Sequence, residues 1–208
     1  MMQSSNSVLS AEAKKALARL EEGNRRFVSD LRSVESMISR AKMAELAEKG
    51  QFPFAIVLTC SDSRSPVELI FDQGVGELFV VRVAGNVVAP SLIASIEFAA
   101  TQFGSCLVLV LGHTKCGAIG AAIQNVKNPG VPLPSVNLED LLQRIRPSVR
   151  DSNGNVIADM GIAIANNVRN SIATLRSQSQ ILTKLESEGK IGFVGGVLDI
   201  SNGKVDFI

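Results

Sequence analysis

The chain has no tryptophan, no tyrosine and one histidine, His113. Should that imidazole bind a metal, neither a second histidine nor a phenol is left to relay a proton, so proton export must use buffer or solvent. Charge of one sign is lacking as well: 21 Lys and Arg stand against 20 Asp and Glu, a formal net charge of +1. That balance provides no global field to gather nucleic acid or an anionic membrane, and it predicts a small or neutral partner. No apolar run approaches a membrane span, and residues 1–10 lack a basic start and an apolar signal core. Three cysteines, an odd number, do not build a disulfide framework and fit a reducing compartment where thiols bind metal. These absences predict a cytoplasmic location. At 208 residues and 46% hydrophobic, the chain is long enough for one full core, and one domain is expected.

Ser10 can cap a helix through residue 22 that Gly23 stops, and Asn24 restarts a short turn to Phe27. Ser33 opens a second amphipathic stretch, with Met37, Ile38, Ala41, Ala44 and Leu46, ended by Gly50. Neither segment has enough large apolar residues for a core of its own, so residues 1–50 are expected to form a helical arm lying across a sheet or a neighbouring subunit. From Pro53 the pattern changes to short, all-apolar runs between helix-like segments, the pattern of parallel strands covered on both faces. Strands are predicted at 54–59, 78–83, 106–111 and 191–198, and Asn202-Gly203 turns the chain into a last strand at 204–207. Helices are predicted at 67–71, from a Ser91 cap to 103, at 117–126, 137–146, 156–175 and 180–188. The expected architecture is an α/β domain: a mostly parallel central sheet of four strands plus a C-terminal antiparallel edge strand, helices on both faces, and a core spanning 51–208.

Two polar clusters sit where buried strands should end: Cys60-Ser61-Asp62-Ser63-Arg64 and His113-Thr114-Lys115-Cys116. A lone buried cysteine is ordinarily a small core residue, and Cys106, which opens an apolar run, keeps that reading. Cys60 and Cys116 stand among polar residues, and with His113 they make three of the four tetrahedral ligands that Zn2+ prefers. An open fourth position holds a water that is a nucleophile near neutral pH. The ligands meet if the first and third strands are neighbours, because ligands in such sheets bind beyond the strands' carboxyl ends. Asp62 and Arg64, spaced i and i+2, can form a bidentate clamp that keeps the carboxylate ionised and aimed beside the metal. A cysteine phosphatase loop fails on spacing, since Arg64 follows Cys60 by four places rather than six. The His-x-Glu pattern of zinc deaminases is missing.

Cys60-Ser-Asp-Ser-Arg64 with His113-x-x-Cys116-Gly117 resembles the β-class carbonic anhydrases, and the likeness includes the stretches 69–74 and 80–86. The resemblance implies a zinc enzyme that interconverts carbon dioxide and bicarbonate through a zinc-bound hydroxide. It also implies a homodimer or tetramer with sites at the subunit interface. Cys60, His113 and Cys116 carry over as ligands, with Asp62 and Arg64 as the catalytic pair. Gln51 matches the glutamine supplied across the dimer to bind substrate oxygen, and Phe79 an aromatic of the carbon dioxide pocket. Phe98 stands where many relatives have tyrosine. Val57 stands where a bicarbonate-regulated subclass carries tryptophan, so the open form is expected, with Asp62 held by Arg64 rather than closed onto zinc in an inactive state. Hydrolysis of carbonyl sulfide or carbon disulfide on the same site, and a structural or redox-sensing zinc site, are the alternative readings.

Overall fold

The computed structural model describes residues 9–31 and 40–208. The predicted start at Ser33, with Met37 and Ile38, lies outside the described residues. The elements run α1 (Ala11–Val28), α2 (Arg40–Lys49), β1 (Ala55–Thr59), α3 (Val67–Ile70), β2 (Leu78–Arg82), α4 (Pro90–Gln102), β3 (Leu107–His113), α5 (Gly117–Lys127), α6 (Val136–Ile145), α7 (Met160–Gln178), α8 (Gln180–Ser187), β4 (Gly192–Leu198) and β5 (Val205–Phe207). The sheet order is β2-β1-β3-β4-β5, parallel except for the antiparallel β4–β5 pair. This is the α/β sheet expected, and no described helix is long and apolar enough to cross a membrane.

β1 and β3 are central and buried along their whole length, which is why they read as unbroken apolar runs. Their residues alternate between two helix layers. Ile56, Leu58, Val108 and Val110 pack against Ile96 of α4, Val168 and Leu175 of α7 and Leu182 of α8. Ala55, Val57, Leu107, Leu109 and Leu111 pack against Ala13, Ala16 and Leu20 of α1 and Ile70 of α3. A third cluster closes the carboxyl end of the sheet, where Ile119 and Ile123 of α5 meet Leu142 and Ile145 of α6 and Ala163 of α7. The arm therefore divides: α1 covers the sheet of its own chain, whereas α2 buries none of its residues.

The structure corrects several boundaries. Gly23 does not stop α1, which runs unbroken to Val28. A Cβ at position 23 would overlap the Phe71 carbonyl, so the glycine is there for close approach. The next residue, Asn24, is buried; its Nδ2 donates to the Ile70 and Gly203 carbonyls, and its Oδ1 accepts from Val205 N–H. Tertiary packing outweighs the cost of about 1 kcal/mol that glycine imposes inside a helix. Gly23→Ala is expected to destabilise the protein by about 2–3 kcal/mol through overpacking, lowering the melting temperature by roughly 5–10 °C, as thermal unfolding would measure. An unchanged melting temperature would refute the close-approach account.

Ser91 is not the cap of α4; Pro90 opens it, the favoured place for a residue without an N–H. Ser135 caps α6 by accepting from Leu138 N–H, and Pro147 sits in a 3-10 turn, Arg146–Val149, that follows. α7 starts at Met160 rather than 156: Val156 bridges Arg150, and the Asp159 carboxylate accepts from Ile162 N–H to begin the helix.

Candidate metal centre

The first and third strands are neighbours, in register from Ala55↔Leu107 to Thr59↔Leu111. β3 continues two residues further, because β4 pairs with it through Gly112↔Val197 and His113↔Leu198. His113 is thus the last residue of a strand rather than part of the loop after it. On its other side β1 has ended, and Cys60 leaves the sheet there. Lys115, at φ +56, turns the chain in the left-handed region, so that Cys116 comes back beside His113 and starts α5.

The Cys60 and Cys116 sulfurs and an imidazole nitrogen of His113 all lie within 4.8 Å of one another, and all three residues are buried. Among the described residues no other His, Cys, Asp or Glu joins the group. Nδ1 of His113 donates to the Thr114 carbonyl at 2.9 Å, which fixes the tautomer and leaves the Nε2 lone pair free. That Nε2 is buried with no hydrogen-bond partner. A buried polar atom without a partner is costly, and a cation held by Nε2 and the two sulfurs removes the cost. The donor set, one nitrogen and two sulfurs, is that of a metal site, so the residues fit the ion.

One of the two thiols is poised to lose its proton. The Cys116 thiol beside it, more than any other contact, lowers the pKa of Cys60 to about 4, assisted by Gly85 N–H, which donates to its sulfur at 3.3 Å. Cys116 is pushed up, first by sharing a proton with Cys60 and then by burial. One proton is therefore held between two sulfurs, and a bound cation displaces it. Burial opposes protonation of His113, but Cys60 and the Thr114 carbonyl outweigh it and raise its pKa. Gly85 has φ +67, and a side chain there would crowd Ile145 and Ala118.

Arg64 clamps Asp62: Nε donates to Oδ1 at 2.9 Å, Nη2 to Oδ2 at 2.7 Å, and the Arg64 backbone N–H to Oδ1 at 2.9 Å. The guanidinium holds the carboxyl well below the usual carboxylate range, so Asp62 is ionised at neutral pH. Its Oδ2 lies 3.9 Å from His113 Nε2, at the edge of the metal cluster. Both carboxylate oxygens accept from the Arg64 guanidinium.

The remaining predicted residues lie elsewhere in the chain. Gln51 is exposed before β1, at the end of the sheet opposite Cys60. Phe79 pairs with Ile56, four residues or about 13 Å of strand before Cys60. Its ring contacts Phe98, at 6.4 Å between centroids, and Phe103, at 5.9 Å; Phe98 is 53% exposed. One chain does not bring these three to the cysteines. Cys106 stays outside the cluster, its sulfur 3.6 Å from the Phe54 carbonyl, and Val57 is buried in the sheet.

Sequence reasoning missed Arg82, Gly85 and Asn167. Arg82 donates to the Cys60 and Asp62 carbonyls. Asn167, which accepts from Ser148, donates to the Gly85 carbonyl at 2.7 Å. Arg82 and Gly85 sit in the stretch 80–86 that carried part of the resemblance, but nothing local ties them to residue 60. Asn167 gave no signal, as one polar residue in a long helix.

The profile of the family described as carbonic anhydrase matches residues 55–205. Carbonic anhydrase 2 of Mycobacterium tuberculosis is 35% identical over 187 residues, covering 89% of this chain and 87% of its own. The carbonic anhydrase of Mycolicibacterium smegmatis is 32% identical over 189 residues, covering 90% and 89%. Among solved structures, the β-carbonic anhydrase CcaA superposes with a TM-score of 0.70 at 26% identity, covering 93% of this chain and 92% of that one. Tetrameric β-carbonic anhydrases of Sordaria macrospora share the fold, with a TM-score of 0.65 at 22% identity over 80% and 85%.

Proposed function

Since the chain belongs to the carbonic anhydrases, in their β class, and as such interconverts carbon dioxide and bicarbonate, we propose that it does so on a zinc ion held by Cys60, His113 and Cys116. The observation that carries this reading is the buried, unpartnered Nε2 of His113 converging with two sulfurs. Zinc bound there supplies a Lewis acid that makes water a nucleophile near neutral pH, less strongly than with three neutral ligands, because two thiolates cancel its formal charge. Activity should accordingly rise with pH.

Asp62 accepts a hydrogen bond from the attacking water and so turns an oxygen lone pair toward the carbon of carbon dioxide. Arg64 keeps that carboxylate ionised and prevents it from rotating. Gln51, Phe79 and Phe98 bind substrate from a second copy of the chain, the amide meeting an oxygen and the rings giving an apolar wall. Their distance from Cys60 within one chain supports a homodimer or tetramer, as do the exposed rings of Phe52 and Phe98. Three free thiols support the cytoplasm as the location. The fixed Asp62–Arg64 pair has no use in a purely structural or redox-sensing zinc site.

The test is stopped-flow carbon dioxide hydration alongside metal analysis of the same preparation. Stoichiometric zinc is expected, with turnover that rises with buffer concentration. A zinc-loaded protein that does not hydrate carbon dioxide would reject the reading, and turnover indifferent to buffer would reject the proton route.

A further inference from the structure

Arg82 ends β2 with its guanidinium turned to the main chain rather than to a carboxylate. Nε donates to the Cys60 carbonyl at 3.1 Å and Nη2 to the Asp62 carbonyl at 2.6 Å. The two carbonyls flank Ser61, so one planar fork spans the backbone from the first thiolate to the carboxylate residue. At its two ends the loop is held by Gly85 N–H, which donates to the Cys60 sulfur, and by the buried Ser65, whose hydroxyl lies 3.4 Å from Thr59 Oγ1; between them little else holds it. Ser61, Ser63 and Arg64 are exposed, and apolar packing there ends with Cys60. Hydrogen bonds take the place of packing: Ser61 N–H donates to the Val83 carbonyl at 3.3 Å, and Ser65 N–H to the Asp62 carbonyl at 3.1 Å. Arg64 fixes the Asp62 carboxylate relative to its own loop, but Arg64 belongs to that loop and moves with it. Arg82 belongs to the sheet, and is the charged group that ties the loop to the rigid scaffold.

We propose that Arg82 is a positioning residue, which holds the main chain of residues 60–62 so that the Cys60 sulfur and the Asp62 carboxylate stay aimed at one point. The inference rests on the roles given above to zinc and Asp62. A lysine cannot replace it, because a single ammonium on a flexible stem does not present the two-pronged geometry.

The experiment compares Arg82→Gln and Arg82→Lys, each alone and combined with Asp62→Asn, by steady-state hydration and by the rate of zinc release to a chromogenic chelator. Arg82→Gln is expected to lower kcat about 10–100-fold, the range for groups that orient metal ligands, with KM little changed and zinc released faster. Arg82→Lys should fold and show a similar loss. In the Asp62→Asn background the same substitutions should cost clearly less in kcat than they do alone, since only the aim of the Cys60 sulfur is left to disturb, while zinc release stays faster. Wild-type kcat and zinc release in Arg82→Gln, or an equal loss with and without Asp62, would overturn the proposal while leaving the zinc reading intact. Full activity of Asp62→Asn alone would instead reject the role of Asp62, and with it what Arg82 is said to hold.

Discussion

Asp62→Asn is expected to lower kcat about 100-fold or more while zinc stays bound and the melting temperature barely moves. The magnitude follows from the two tasks the carboxylate performs, accepting a proton-bearing oxygen and aiming it; loss of one positioned polar group of this kind costs about 10²–10³. Asparagine keeps the shape and can still accept from Arg64 with one oxygen. Its amide, however, presents N–H groups where Oδ2 receives Nη2 at 2.7 Å, so donor faces donor and the clamp opens. Zinc should be unaffected, because the proposed ligand group is Cys60, His113 and Cys116, and Asp62 lies outside it. Stopped-flow kinetics with metal analysis would measure this, and wild-type turnover would remove Asp62 from the mechanism. A loss of zinc in the same variant would make Asp62 a ligand rather than an orienting group.

His113→Ala has a larger expected effect, the loss of both metal and activity. In the proposed centre the imidazole is the neutral ligand, and without it two sulfurs alone would face a cation that needs more donors. A metal's Lewis acidity contributes several kcal/mol to a reaction of this type, so turnover should fall on the order of 10³-fold or more. The fold should survive, because the three large clusters that bury the sheet do not depend on the ion, and Cys60 and Cys116 can share one proton between them. Circular dichroism would be close to wild type, metal analysis would show little zinc, and hydration would be near the uncatalysed rate. Retained activity without zinc would refute the assigned centre. Chelation of the wild-type protein should reproduce the phenotype, and zinc should reverse it.

Much of this was legible in the residues, for reasons of range. Strands buried on both faces must be apolar at every position, so β1 and β3 stood out; the Asn202-Gly203 turn before β5 needs only its own dipeptide to be recognised. Helix starts depended on which polar group happened to meet a free N–H. Ser135 and Asp159 did so two and three residues from the predicted starts at 137 and 156. Gly23 misled because the same residue serves as a stop signal and as a contact for close packing, and only the neighbour at Phe71 decides between them.

By itself the sequence determined the chemistry of the centre: two thiols, one imidazole and a carboxylate with its guanidinium, each placed at the end of an apolar run. Side-chain type and spacing over a few residues are local properties, so they can be read without a fold. The tertiary structure decided what distance along the chain conceals: that β1 lies beside β3, that β4 carries His113 past the end of β1, and that Arg82 reaches back across 20 residues to grip the loop. It also placed Gln51 and Phe79 out of reach of their own chain's cysteines. Such contacts arise from sheet order and register, which pair residues by their position in space and leave no mark on their neighbours in the chain.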